Sequence, residues 1–291
     1  MHPARRLFFG LVAALPLIVI LLGLCPATAE NPPAIVLTAF GTTTTAADTY
    51  QHIDKLARQR FPGQEIRWAY TSRKVRQKVG QEQGKELKDL GQVLTELKAA
   101  DFSRVAVQSL HIVPGEEWDK KIVQAAGKVP GLKVALGKPL LSSNQDNERV
   151  IKALGKDFPQ DLGKTAVVLA GHGSPSPQGE AAYLAFNKLL RTRYAGKNVF
   201  LGVVGGKPEA QTALDAVKRS PAHSVLFIPL MVVAGDHMEN DILGDAPKSW
   251  KSQILKARAF QIDGVRRGLG FNDAVVAVFL DHLAEALATL K

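Results

Sequence analysis

Between Ala34 and Leu290, short apolar runs alternate with longer stretches whose apolar residues recur every three or four positions. The short runs, at residues 34–40, 65–71, 104–112, 133–136, 166–170, 198–203 and 224–233, have strand composition. Several are continuously apolar, as strands buried on both faces of a parallel sheet must be. The longer stretches, at residues 46–60, 85–99, 116–126, 146–156, 179–193, 208–219, 249–257 and 272–290, predict helices. In the last of these Val275, Val276, Phe279, Leu283 and Leu287 fall on one helical stripe, with Asn272 or Asp273 in place to cap it. Strand and helix in alternation predict an α/β fold of parallel sheets covered by helices.

Comparing the halves exposes a coarse repeat. Ala34-Ile-Val-Leu-Thr-Ala-Phe-Gly41 before a run of threonines resembles Ala166-Val-Val-Leu-Ala-Gly-His-Gly173 before Ser174. Ser109-Leu-His-Ile-Val-Pro-Gly115-Glu-Glu-Trp118 resembles Pro229-Leu-Met-Val-Val-Ala-Gly235-Asp-His-Met238, an overlay that sets Glu117 on His237. Two similar lobes follow, 30–142 and 143–270, with a final helix over 271–291. All four turns fall at the carboxyl ends of predicted strands, where open parallel sheets bind ligands, so they should converge on one cleft.

Those turns carry the residues best suited to chemistry. His111, His172 and His237 each stand near a strand end beside glycine, and Glu116 and Glu117 lie in the same set of turns. Neutral imidazole with carboxylate is a donor set that accepts Co, Fe, Ni or Zn, and it supplies a base near neutral pH. Asp241, four residues after His237, shares its face on a helix and is placed to orient that ring. His52 and His282 fall within predicted helices at positions expected to be solvated and His223 is expected to begin a strand, though His52 could still ligate a bound cofactor such as haem. The basic run Arg73, Lys74, Arg76 and Lys78 follows a strand end at Thr71-Ser72, and reads either as a solvated face or as a set of partners for substrate carboxylates. Gly171-His-Gly-Ser174 is not a nucleophile elbow, because histidine holds the centre where serine is needed. Val204-Gly-Gly-Lys207 is too short for a phosphate-cradling loop, so no nucleotide is expected.

The amino terminus changes the setting. Arg5 and Arg6 precede an apolar run from Leu7 to Leu24 and then Ala27-Thr28-Ala29, the pattern of a cleavable export signal. Uncut, the run is close to the ~20 residues that span a bilayer; a lipid-attached Cys25 is disfavoured by the bulk of Leu24. Cleavage after Ala29 makes the protein periplasmic, leaves 262 residues with no membrane segment, and removes Cys25, the chain's one cysteine. Neither a disulfide nor a zinc–thiolate site then remains. The net charge of +10 falls by two with Arg5 and Arg6 and stays positive, which favours an anionic ligand. Export and the absence of basic segments interleaved with aromatics argue against nucleic acid.

With these residues in view, the chain resembles the anaerobic cobalt chelatases, the sirohydrochlorin cobaltochelatase family. The resemblance rests on Ala39-Phe-Gly-Thr42, Thr71-Ser72, Gln108-Ser-Leu-His-Ile112, Gly115-Glu-Glu117, Pro139-Leu-Leu-Ser-Ser143, Gly171-His-Gly173, and Pro229-Leu-Met-Val-Val-Ala-Gly-Asp-His237 with Asn240-Asp241. It implies the chelatase fold, two α/β lobes with four-stranded parallel sheets and a C-terminal helix that returns to the first lobe. It also implies insertion of Co2+ or Fe2+ into an acidic tetrapyrrole, sirohydrochlorin, without ATP. His172, His237 and Glu117 are then expected at the metal, with His172 and Glu117 catalytic, and Thr42, Ser72, Arg76 and His111 against the substrate. Self-association of the chain is compatible with this reading. Two departures stand out: Ser174-Pro-Ser-Pro-Gln178 replaces the extra histidines that relatives carry, and relatives serving cobalamin synthesis are cytoplasmic. The competing reading is a periplasmic carrier that binds metal or tetrapyrrole without turning it over. A third, a hydrolase built on Gly171–Ser174, would require Ser174 as nucleophile.

Overall fold

Two four-stranded parallel sheets dominate the computed structural model, which describes residues 31–43 and 48–291. The expected export signal lies outside the described residues, as do Ala46 and Ala47, where the first helix was expected to begin. Asn31–Lys291 forms one compact unit. No helix among the described residues is long and apolar enough to cross a membrane.

The first sheet comprises β1 (Ala34–Ala39), β2 (Ile66–Tyr70), β3 (Arg104–Ser109) and β4 (Lys133–Gly137), in the order β2-β1-β3-β4. The second comprises β5 (Thr165–Gly173), β6 (Val199–Gly205), β7 (Ser224–Leu230) and β8 (Gln261–Gly264), in the order β6-β5-β7-β8. The two orders are the same when the halves are overlaid. In β1, Ile35, Leu37 and Ala39 join the apolar cluster that also takes Val167 and Leu169 of β5, while Ala34 and Val36 join a second cluster on the other face. Alanine and valine at 166, 168 and 170 enter a third, on the far side of the second sheet. Each central strand is thus wet on neither face, which is why its sequence shows no polar alternation.

The connecting helices are α1 (Asp48–Arg60), α2 (Arg73–Gln83), α3 (Leu90–Ala99), the short α4 (Gln124–Ala126), α5 (Asn144–Leu154), α6 (Pro177–Arg193), α7 (Ala210–Arg219), α8 (Trp250–Leu255) and α9 (Asp273–Ala288). The apolar stripe of α9, including Val275, Val276, Phe279 and Leu283, is fully buried, and the helix packs back on β3 and β4 of the first sheet. Burying a side chain such as Phe279 stabilises the fold by roughly 1.5–3 kcal/mol.

Three expectations need correction. The basic run is a helix, α2, whose one buried residue is Val79, so it shows no apolar period. Gln261–Gly264 forms an edge strand whose residues are exposed or half-buried, too short and polar to be legible. His282, expected in solvent, is buried, with Nδ1 facing the Lys138 carbonyl at 3.0 Å and Nε2 3.1 Å from Asp146 Oδ1. It ties α9 to the start of α5.

Candidate active site

Two glycine turns and two π-helical turns build the cleft. After β1 the chain passes Phe40 and reaches Gly41 at φ 101°, and Gly173 at the end of β5 has φ 90°. Both lie in the left-handed region that glycine alone adopts freely. A tyrosine from the following helix braces each turn. The Gly41 N–H donates to Tyr50 Oη at 3.2 Å. Tyr183 bonds the backbone of Gly173 and His172; burial pushes its phenol up to about 12 against those bonds, so it stays protonated. The two turns differ in tightness: a Cβ on Gly41 would meet Val75 Cγ1 at 2.9 Å, whereas one on Gly173 would collide with the carbonyl of Gly205.

The other two turns follow β3 and β7. Glu117 stands just before a π-helix at Trp118–Val123 without a side-chain capping bond, and His237 opens a second at His237–Ile242. Such wide turns are rare and occur often at functional sites. His237 Nδ1 lies 2.5 Å from Asp241 Oδ2. An ionised carboxylate only accepts, so the contact places a proton on Nδ1, and in the neutral ring the lone pair then lies on Nε2. His172 Nδ1 lies 3.3 Å from the Gly173 carbonyl, a weaker contact with the same consequence for its Nε2.

The imidazoles of His172 and His237 meet edge to face, with centroids 4.8 Å apart at 74°. Burial, and then the neighbouring His237, lower the pKa of His172, while Gly173, Asp241 and Glu117 act against the shift. The ring is therefore neutral at neutral pH, able to hold a cation or accept a proton. Glu117 Oε2 is buried without a hydrogen-bond partner, an arrangement that costs free energy unless a ligand meets it. Glu116 is not equivalent: it also borders the cleft, but it is exposed and pairs with Lys120 at 2.5 Å.

Thr42, His111, Glu117, His172 and His237 all line one cleft of about 500 Å3, together with Phe40, Ile112, Val113, Met231, Val232 and Val233. Its size and mostly apolar walls suit an organic ligand. Among the described residues, no three His, Cys, Asp or Glu side chains converge tightly enough to close a metal cage. His172 and His237 present adjacent imidazoles, and Glu117 lines the same cleft, near enough that its charge acts on His172.

Two expected substrate residues are absent from this wall. Ser72 is buried and caps α2, its Oγ accepting the Val75 N–H at 3.3 Å. Arg76 turns its guanidinium onto the Tyr70 carbonyl at 2.6 Å, the Thr71 carbonyl at 3.2 Å and Asp89 at 3.2 Å. It is a brace for the end of β2, not a free cation. His111 lines the cleft, but its nitrogens face Ser109 Oγ at 3.0 Å and Thr71 Oγ1 at 3.4 Å, and burial lowers its pKa to about 4. It stays neutral, with both ring nitrogens already facing hydroxyls of the protein.

His52 Nε2 is 2.7 Å from Asp273 Oδ1, in an exposed pair. Ser174 Oγ pairs with Ser176 Oγ at 3.2 Å and not with an imidazole, which leaves a hydrolase without its base. Sequence reasoning missed Phe40, Tyr50 and Tyr183. The repeat held the signal for each, since Phe40 overlays His172 and the tyrosines follow their glycines by nine and ten positions.

Comparison with known proteins gives one family. Residues 33–288 match the family model of the cobalt chelatase CbiK. The chain is 33% identical over 261 residues to the sirohydrochlorin cobaltochelatase CbiKC of Nitratidesulfovibrio vulgaris, across 88% of this chain and 91% of the relative. It is 33% identical over 227 residues to the sirohydrochlorin cobaltochelatase of Salmonella typhimurium, across 78% of this chain and 84% of the relative. SirB from Bacillus subtilis, solved with Fe3+, shares the fold at a TM-score of 0.63 and 17% identity, covering 89% of this chain and 96% of SirB. The structure of CbiX, the terminal enzyme for biosynthesis of siroheme in denitrifying bacteria, does so at 0.51 and 17%, covering 87% and 99%.

Proposed function

The chain belongs to the CbiK cobalt chelatase family, and on that premise we propose that it inserts Co2+ or Fe2+ into sirohydrochlorin within this cleft. The observation that carries the assignment is the pair of imidazoles 4.8 Å apart in the same cleft as a half-buried carboxylate with one buried, unpartnered oxygen.

Metal insertion exchanges one divalent ion for two pyrrole N–H protons. His172 and His237 present the Nε2 lone pairs that strip water from the ion. As the ring nitrogens take the metal, His172 is freed and accepts one proton; Glu117 accepts the other. Asp241 holds His237 in the tautomer that binds. The excess positive charge draws the polycarboxylate substrate toward the protein. A carrier would need the ligand pair but has no use for a base beside the ring nitrogens.

The reaction is tested by following the visible spectrum of sirohydrochlorin with Co2+. We expect the parent to accelerate the change strongly over the free solution, and His172→Ala to lose roughly 10²–10⁴-fold of that rate, as befits loss of a ligand and proton acceptor. His172→Ala working at the parent rate would remove it from the mechanism.

The setting is part of the same proposal. Arg5, Arg6, the apolar run and Ala27-Thr28-Ala29 support export and a periplasmic enzyme. Protein recovered from the periplasm should begin at Glu30; a mature chain that retains Met1 in the cytoplasm would overturn the assignment.

A further inference from the structure

The cleft contains one large apolar side chain that neither the core nor the metal chemistry accounts for. Phe40 is 46% exposed, although the strand leading to it is buried throughout. It stands at the carboxyl end of the central strand of the first sheet, one residue before Gly41, and lines the cleft. The repeat puts it where the second half has His172, which also is exposed and also precedes a glycine of positive φ. The same backbone position thus delivers a phenyl from one sheet and an imidazole from the other into one space. Ile112, Val113, Val232 and Val233 extend the apolar surface around it.

A phenyl left half in water forfeits burial free energy unless a ligand covers it. The ligand of this site has an apolar conjugated face and a rim of carboxylates. We propose that Phe40 is the platform against which a face of the tetrapyrrole rests, setting the ring's affinity and its approach to His172 and His237 while leaving the metal's affinity untouched. The inference deepens the chelatase reading and rests on it.

The test separates ring binding from metal binding. Phe40→Ala should raise the KM for sirohydrochlorin by about tenfold, the loss expected for one stacked ring, and leave the affinity for Co2+ alone unchanged within twofold. Phe40→Trp should keep the parent KM. Because Phe40 lies outside the core, its truncation should not alter thermal unfolding. Quenching of intrinsic fluorescence by metal-free sirohydrochlorin reads the same difference without turnover. A parent that inserts no cobalt defeats the chelatase reading itself. A parent that inserts cobalt while Phe40→Ala keeps its KM and its quenching curve defeats only this inference, as does a Phe40→Ala protein that loses Co2+ and sirohydrochlorin together.

Discussion

The two halves of the protein share a scaffold and divide the chemistry. Each central strand ends at a glycine of positive φ braced by a tyrosine, and each third strand leads into a π-helical turn. In the first half those positions carry Phe40 and Glu117; in the second they carry His172 and His237. The difference extends one turn further, because Asp241 behind His237 is matched by Lys121 behind Glu117. A repeated backbone therefore supplies location, and unequal side chains supply function. On the proposed reading, the second half offers imidazole nitrogens to the metal, while the first offers an apolar face and a carboxylate to the ring.

Stability experiments can break the claim that the scaffolds are equivalent in form but unequal in tightness. Gly173→Ala should be the most damaging, by about 3 kcal/mol or more in chemical denaturation, because its Cβ runs into the fixed Gly205 carbonyl as well as a strained φ. Gly41→Ala should cost less, about 1–2 kcal/mol, since the obstacle is the movable Val75 side chain. Tyr183→Phe and Tyr50→Phe should each cost about 1 kcal/mol, the price of a lost hydrogen bond to a turn. Equal losses at the two glycines would show that the turns relax alike.

The sequence carried the layered architecture well, because strands buried on both faces cannot show polar alternation and the amphipathic helices must. It carried the cleft through the repeat, which set Glu117 on His237 and placed both at strand ends. What escaped it has physical causes. The polar helix α2 buries only Val79 and is held by Ser72 and by Arg76 contacts to Tyr70, Thr71 and Asp89, so its residues read as a free basic patch. The edge strand β8 lacks an apolar face. His282 looked solvated because its partners, the Lys138 carbonyl and Asp146, are about 140 residues away in the chain. Whether a nitrogen of His111 faces a ligand or the protein depends on hydroxyls brought together by β2 and β3, which no local pattern reports.

The division of labour is tested most directly by titrating Co2+ into the protein without tetrapyrrole. His237→Ala and His172→Ala should lose most of the affinity. Asp241→Ala should lose about ten- to hundredfold through misorientation of His237, and Glu117→Gln should bind as the parent does. Parent-like Co2+ binding by His237→Ala, or a loss in Glu117→Gln as large as that in the histidine variants, would contradict the assignment of metal to one half and ring to the other.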